Sequence, residues 1–347
     1  MIKQNRITIQ SMTNTKTADI EATTAQIKRL EQIGCDIIRV AVPDIESANA
    51  ITKIKENIKI PLVADIHFDH KLALRAIESG ADKIRINPGN IGSSENVKAI
   101  ADACNKKKIP IRIGVNSGSL EKEVLKKYGG VTPEAMVEST MNHVRLLNKY
   151  DFNDIWLSAK ASSVPLTIKT YRLLHSLTNY PLHLGITEAG TEFNGIIKSS
   201  IGIGALLLDG IGDTIRVSLT AEPEKEIEAA KSILKALNIR PGIDIISCPT
   251  CGRCSIDVIK ITNEVESRLV ELKEENINEL KYNLTIAIMG CAVNGPGEAK
   301  QADYGIAGCS NGKTSTNEGI LFAKGEIIKK APMKELVNEL FNLIKEQ

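Results

Sequence analysis

Over the first two-thirds of this 347-residue chain, one unit recurs: a short β-branched run that ends in a polar residue, followed by a segment of helical period. Eight such runs can be read, at Ile7–Ser11, Ile37–Val42, Leu62–Asp65, Lys83–Asn87, Ile111–Val115, Ile155–Ala159, Leu182–Thr187 and Thr214–Ser218. Runs this short and this rich in Ile and Val predict parallel strands buried on both faces. The segments between them read as helices. Ile20, Ile27, Leu30 and Ile33 share a stripe that Gly34 stops, Ser94 can cap a helix to about Asn105, and Pro133 and Pro223 open two more, to about Asn148 and Leu237. Eight strand–helix units over some 240 residues predict a (β/α)8 barrel, with an open doubly wound sheet as the alternative.

The rhythm breaks at Arg240-Pro241-Gly242. The expected domains are 1–239, the barrel, and 240–347, a small α/β unit. That unit has strands at Ile243–Ser247 and Leu284–Met289, a helix near Ile256–Leu272, a charged stretch at Glu271–Lys281 and a closing helix from Met333. The formal net charge is +2, which gives no global case for nucleic acid or membrane as partner. No apolar stretch follows Met1–Arg6, and the apolar region at Ile201–Leu208 is broken by Gly202 and Gly204. Neither a signal peptide nor a membrane span is read, and seven cysteines, an odd number, fit a reducing cytoplasm.

In a β/α barrel the C-terminal strand ends build the active site. Here they carry Arg39; Asp65 and His67; Arg85 and Asn87; Arg112 and Asn116; Lys160; Glu188; and Arg216 and Ser218. The i, i+2 and i, i+4 spacings put the members of a pair on one strand face. A single buried Arg is explained by a structural ion pair. Four Arg and a Lys against few strand-end acids are not, because unpaired buried cations are costly. Guanidinium forks match phosphate oxygens, so a small, strongly anionic substrate is expected, most simply a phosphate or diphosphate ester. His67 alone fits a hydrogen-bonded core histidine as well as a catalytic one. Glu188 is a candidate proton donor, which a salt bridge to Arg216 would explain equally well.

Beyond the boundary, Cys248-Pro-Thr-Cys251-Gly-Arg-Cys254 is followed by Gly290-Cys291-Ala-Val-Asn-Gly-Pro-Gly-Glu298. Four readings compete: structural zinc, a thiol–disulfide site, an iron–sulfur cluster on four Cys, and a cluster on three Cys and one oxygen. Spacing favours four Cys. Chemistry gives the last an appeal of its own, because a substrate oxygen can displace a carboxylate and leave one iron available; Glu298, on the Asn294-Gly-Pro-Gly turn, is the candidate. Cys35 and Cys104 read as small hydrophobes, and Cys309 is ambiguous. Ala307–Thr314 fits a relaxed phosphate-loop pattern, but Gly319 breaks the helix such a loop must open.

These residues together resemble the 4-hydroxy-3-methylbut-2-enyl diphosphate synthase family of the methylerythritol phosphate route to isoprenoids. The resemblance spans essentially the whole chain. It is carried by Gln10–Asn14, Leu62–Asp69, Arg85–Gly92, Ile111–Asn116, Leu182–Gly190, Gly212–Ser218, Cys248–Cys251 and Gly290–Glu298. It implies a barrel followed by a domain holding a 4Fe-4S cluster on Cys248, Cys251, Cys291 and Glu298. The implied reaction is two-electron reductive opening of the cyclic diphosphate of methylerythritol with loss of water, fed by reduced flavodoxin or ferredoxin. Arg39, Arg85, Asn87, Arg112, Asn116, Lys160, Arg216 and Ser218 would hold the substrate, with Glu188 as proton donor and Asp65 and His67 beside it. The resemblance also implies a homodimer in which the cluster domain of one chain closes the barrel mouth of the other. Two departures stand out: a long gap between Cys251 and Cys291, and Cys254 where many relatives carry another residue.

Overall fold

The computed structural model describes residues 7–274, 284–291, 299–309 and 318–345, without the side chains of 270–274. The chain divides into two compact units, Met1–Ile239 and Arg240–Gln347.

In the first unit, strands and helices alternate as β1 (Thr8–Met12), α1 (Ile20–Gln32), β2 (Ile37–Ala41), α2 (Ile45–Lys55), β3 (Leu62–Asp65), α3 (His70–Glu78), β4 (Lys83–Ile86), α4 (Ser94–Lys107) and β5 (Ile111–Asn116). They continue as α5 (Lys122–Tyr128), α6 (Pro133–Asn148), β6 (Ile155–Lys160), α7 (Val164–Leu177), β7 (His183–Leu184), α8 (Glu192–Leu208), β8 (Thr214–Ile215) and α9 (Pro223–Ala236). The eight strands are parallel, in the order β6-β5-β4-β3-β2-β1-β8-β7. A bridge from Leu157 to Leu182 joins the two ends. That closure rules out the open sheet and establishes the barrel.

The helix starts follow local chemistry. Asp19, Asp44, Asp69, Thr132 and Ser163 each accept a hydrogen bond from an amide of the first turn that follows them. Ser94 is not the cap of α4, as the sequence suggested. It is the first helical residue, Ser93 precedes it as the cap, and the Ser94 hydroxyl bonds to that of Tyr150.

The strands depart from their reading in two ways. They are buried on both faces, as read, but the mainly apolar face is the outward one, where Ile38, Val40, Ile84, Ile111 and Leu157 pack into one core with the helices. The alternate residues, Arg39, Asp65, Arg85, Arg112, Ser158 and Lys160 among them, face a central cavity. The last two strands are also shorter than expected. β7 ends before Gly185, where a Cβ would lie 2.5 Å from Lys160 Nζ and 2.6 Å from the Arg216 carbonyl.

The seam between β6 and β7 is held by a side chain. Leu157 N–H donates to Pro181 O (2.9 Å) and Thr187 N–H to Ala161 O (3.3 Å). Between them, Ala159 N–H donates to Tyr171 Oη (3.1 Å), whose hydroxyl donates to His183 O (2.6 Å). Tyr171 comes from α7, is fully buried, and has its pKa pushed up to about 12 by burial, so it stays protonated and can donate. Cys35 and Cys104 are buried with thiols also pushed up to about 12, as suits small hydrophobes.

Among its described residues the second unit has a five-stranded sheet and two helices: β9 (Ile243–Ser247), α10 (Val258–Glu274), β10 (Leu284–Met289), β11 (Tyr304–Gly308), β12 (Glu318–Ala323), β13 (Glu326–Pro332) and α11 (Met333–Lys345). Its order is β13-β12-β11-β10-β9, with β9 to β11 parallel and β12 and β13 antiparallel. The sequence reading found β9, β10 and both helices but passed over β11 to β13. No helix among the described residues is long and apolar enough to cross a membrane. The charged stretch lies partly, and residues 275–281 of it wholly, outside the described residues.

Replacing Tyr171 by Phe would leave the Ala159 N–H and His183 C=O without their shared partner. The expected loss is about 1–3 kcal/mol, read as a lower denaturation midpoint of the barrel. An unchanged midpoint would mean that the hydroxyl does not hold the seam.

Candidate active site

At the C-terminal strand ends lies a cavity of 220 Å³ whose wall includes Arg39, Asp65, Arg85, Arg112, Lys160 and Arg216, with His67, Asn116, Ser158, Thr187 and Ser218 completing it. Five cations meet there. Asp65, 4% exposed, pairs with Arg85 Nη1 at 3.0 Å and with Arg39 Nε at 3.7 Å, and His67 Nε2 stands 3.5 Å away. Arg216 makes a two-pronged bond to Glu226 Oε1 and Oε2, both at 3.2 Å. Glu226 also accepts from the Ser11 hydroxyl (3.0 Å) and from Leu219 N–H (3.1 Å). Arg112 donates to Gln10 Oε1 at 2.7 Å, while its Nη2 is buried without a partner. The Lys160 ammonium, on a buried residue, has neither acid nor hydrogen-bond partner among the described residues.

The electrostatics follow from that imbalance. Burial first, and then Arg112, Arg39, Arg216 and Arg85, hold the Lys160 pKa well below its ordinary value. Burial, with Arg39 and Arg85 next, does the same to Arg112. Arg39 is lowered to about 10, chiefly by burial, against which Asp65 works. At Asp65 burial pushes the pKa up, but Arg39, His67 and Arg85 together outweigh it and hold the carboxyl well below its usual range. Five cations against two carboxylates therefore make an enclosed field that an anion relieves. Close packing tightens it: Gly114 has no side chain because the Arg85 guanidinium occupies that space, donating to Gly114 O at 3.3 Å.

Nine of the sequence-chosen barrel residues line this cavity: Arg39, Asp65, His67, Arg85, Arg112, Asn116, Lys160, Arg216 and Ser218. Two do not. Asn87 caps the short 3-10 turn Pro88–Asn90, accepting from Gly89 N–H (3.2 Å) and donating to Ser119 Oγ (3.4 Å). Glu188 is exposed in the loop after β7, in a left-handed conformation (φ 53°) that is uncommon for a side chain of its kind. The alternative weighed for it, a salt bridge to Arg216, is not formed; Glu226 takes that place.

Glu226 was missed because strand ends were searched and it lies in α9. A signal existed. With Ala230 and Ile233 it falls on the buried face of that helix, so a carboxylate occupies a core position.

In the second unit, Cys248 follows β9 and Gly290-Cys291 follows β10, two parallel neighbours in register at Ser247 and Ile288. Cys248 Sγ accepts from Gly290 N–H at 3.1 Å. Cys291 is buried, Cys248 half-buried and Cys251 exposed, and all seven cysteines are free thiols. Glu298 lies outside the described residues, as do 310–317 of the phosphate-loop-like stretch. Among the described residues no three His, Cys, Asp or Glu side chains already stand as a metal cage. The donor set nonetheless fits a soft metal or iron–sulfur group: thiols alone, at the ends of adjacent strands, with an amide directed at one sulfur.

Fold and cavity define a β/α barrel with a cation-lined cavity at its strand ends, followed by a small thiol-bearing α/β unit. The chain belongs to the GcpE family: residues 1–231 match the GcpE TIM-barrel domain and 244–346 the GcpE protein C-terminal domain. It is 61% identical over 338 residues to a protein of Caldicellulosiruptor saccharolyticus, covering 97% of this chain and 93% of that one. It is 58% identical over 340 residues to one of Clostridium perfringens, covering 98% and 93%. Both relatives are named 4-hydroxy-3-methylbut-2-en-1-yl diphosphate synthase (flavodoxin). Among solved structures, dihydropteroate synthase of Stenotrophomonas maltophilia superposes with a TM-score of 0.51 at 14% identity, over 69% of this chain and 96% of that one; the likeness is one of fold alone.

Two outcomes are expected. Inorganic pyrophosphate should bind and raise the denaturation midpoint. Lys160→Met should weaken that binding about ten- to hundredfold, the worth of one hydrogen bond to a charged group; equal affinity by calorimetry would remove Lys160 from the site. Asp65, with its folded pKa depressed, contributes stability that is present above its unfolded pKa of about 4 and is lost as pH falls toward the folded value. Asp65→Asn should therefore lower stability at neutral pH and flatten the acid limb of the stability profile. An unchanged acid limb would contradict the pairing.

Proposed function

We propose that the chain is an oxidoreductase that opens 2-C-methyl-D-erythritol 2,4-cyclodiphosphate to 4-hydroxy-3-methylbut-2-enyl diphosphate. Two electrons and two protons enter, the ring carbon–oxygen bond breaks, and one water leaves. The observation that carries this reading is the cavity with five cations against two carboxylates, in a chain more than half identical to proteins of that name.

The residues divide the work. Arg39, Arg112, Lys160 and Arg216 neutralise the diphosphate, and Arg85 is held ready by Asp65. Asn116, Ser158 and Ser218 add neutral polar groups that fix the ring oxygens. Asn87 supports the wall through its turn and Ser119, and His67 stands at the rim. Glu188 is assigned as the proton donor. It lies on the exposed loop after β7, at the strand end where barrel active sites form, and no ion pair among the described residues uses its carboxylate.

Cys248, Cys251, Cys291 and Glu298 are proposed to hold a 4Fe-4S cluster, which when bound supplies single electrons and a Lewis-acid iron. The electron donor is reduced flavodoxin or ferredoxin, the first supported by the relatives' names. A homodimer is supported by α8, on which Phe193, Ile197, Ile201 and Leu208 form one exposed apolar stripe. No nucleic-acid or membrane partner is proposed, and the expected compartment is the cytoplasm.

The deciding experiment is anaerobic turnover of the cyclic diphosphate by cluster-replete protein with dithionite-reduced viologen, followed by product chromatography. Absence of product would sink the assignment. Glu188→Gln should lower kcat by about a hundredfold or more while KM changes little. A change in KM alone would make it a binding residue.

A further inference from the structure

Cys254 is a third thiol in the loop after β9 that the proposed ligand set leaves unused. Its position is nevertheless well determined. Cys254 N–H donates to Cys251 O at 3.0 Å, closing a turn, and Cys251 N–H points back at Cys254 Sγ at 3.4 Å. The next residue ties the turn to the β10 edge: Ser255 N–H donates to Gly290 O at 2.8 Å, and the Ser255 hydroxyl reaches the same oxygen at 3.3 Å. The Cys254 sulfur lies in the space a side chain at residue 290 would fill, so only glycine fits there. Cys248 Sγ rests on the amide of that same glycine, and Cys291 follows it directly. The sulfurs of Cys248 and Cys254 thus both lie at Gly290, the residue before Cys291, and each receives a backbone N–H···S bond of the kind that tunes metal-bound sulfur.

We infer that Cys254 is a reserve cluster ligand that takes the place of Cys251. Cys251 is the exposed thiol of the set and the one most open to oxidation. Cys254 is half-buried, three residues on, with its sulfur against the Cys251 backbone. The exchange is a ligand substitution with no net redox change. The iron–sulfur bond to Cys251 breaks and one to Cys254 forms; the Cys254 thiol gives up its proton and the released Cys251 thiolate takes one up. The inference rests on the iron–sulfur reading of this unit.

The test uses full-length protein, reconstituted anaerobically, as wild type, Cys254→Ser, Cys251→Ser and the double variant, with circular dichroism as the check on folding. Iron and acid-labile sulfide per chain are measured, and thiols are mapped by iodoacetamide labelling and mass spectrometry. Cys254→Ser should keep the wild-type content. Cys251→Ser should keep most of it, with Cys254 shielded from alkylation. The double variant should fall to the reagent blank. A Cys251→Ser protein as depleted as the double variant, or one in which Cys254 alkylates freely while loaded, would overturn the reserve role. So would loss of the cluster from Cys254→Ser alone, which would make Cys254 an obligatory ligand. Wild-type protein without iron and sulfide would instead bring down the iron–sulfur reading itself, and this inference with it.

Discussion

The rest of the barrel is arranged around an excess of buried positive charge. A β/α barrel ordinarily fills its interior with layers of branched apolar side chains. Here the inward face of the strands carries four guanidiniums and an ammonium, and two carboxylates answer them. Burying unpaired charge is expensive. The lowered pKa values of Lys160 and Arg112 express that expense as a field resisting a further positive charge. Such an interior is stable only because the outward face compensates, with Ile38, Val40, Ile84, Ile111 and Leu157 joined to the helices in one apolar core. Stability is given up at the centre and recovered at the periphery, and an anion entering the cavity removes the conflict. Affinity for an anion would in this sense follow from the fold itself.

The two carboxylates do different work. Asp65 is shared between Arg39 and Arg85 and stands in the cavity wall, so it sets how those two guanidiniums are presented. Glu226 reaches in from α9 and holds Arg216, the Ser11 hydroxyl and the Leu219 amide, so it ties β1, β8 and the following loop to one helix. Lys160 is left without either, close against Gly185. A phosphate entering the cavity would therefore meet three guanidiniums already paired with a carboxylate and two cations, Arg112 and Lys160, that are not. Lys160 would gain most, because among the described residues it has no bond to break.

Much of this was legible in the chain. Strand runs carrying Arg39, Asp65, Arg85 and Arg112, with Lys160 just after one of them, announced both the barrel and its charged mouth, because strand period and residue type act locally. What was hidden depended on distant partners. Glu226 sits among other glutamates at the start of α9, and only the helix face distinguishes it. The early end of β7 depends on Gly185 approaching the Arg216 carbonyl, and the Tyr171 bridge depends on α7 lying over the seam. Asn87 looked like a ligand because it ends a strand, yet its side chain is consumed by the turn it caps. Strands β11 and β12 went unread because Gly305, Gly308 and Gly319 interrupt their pattern. At Gly319 a Cβ would collide with the Met333 side chain and crowd the Ala307 carbonyl, so glycine there marks close packing within the sheet and not a loop.

The thiol-bearing unit applies a second economy. Its parallel strands β9 and β10 end side by side, so one short segment, Gly290-Cys291, serves both as a strand end and as the platform for sulfur from the preceding loop. Glycine at 290 is required twice: its amide is directed at Cys248, and its missing side chain is the space Cys254 occupies. A larger residue would displace one thiol without touching the others. The selectivity of this platform for sulfur therefore resides in backbone and absent atoms, and the cysteine spacing alone could not reveal which thiols share it.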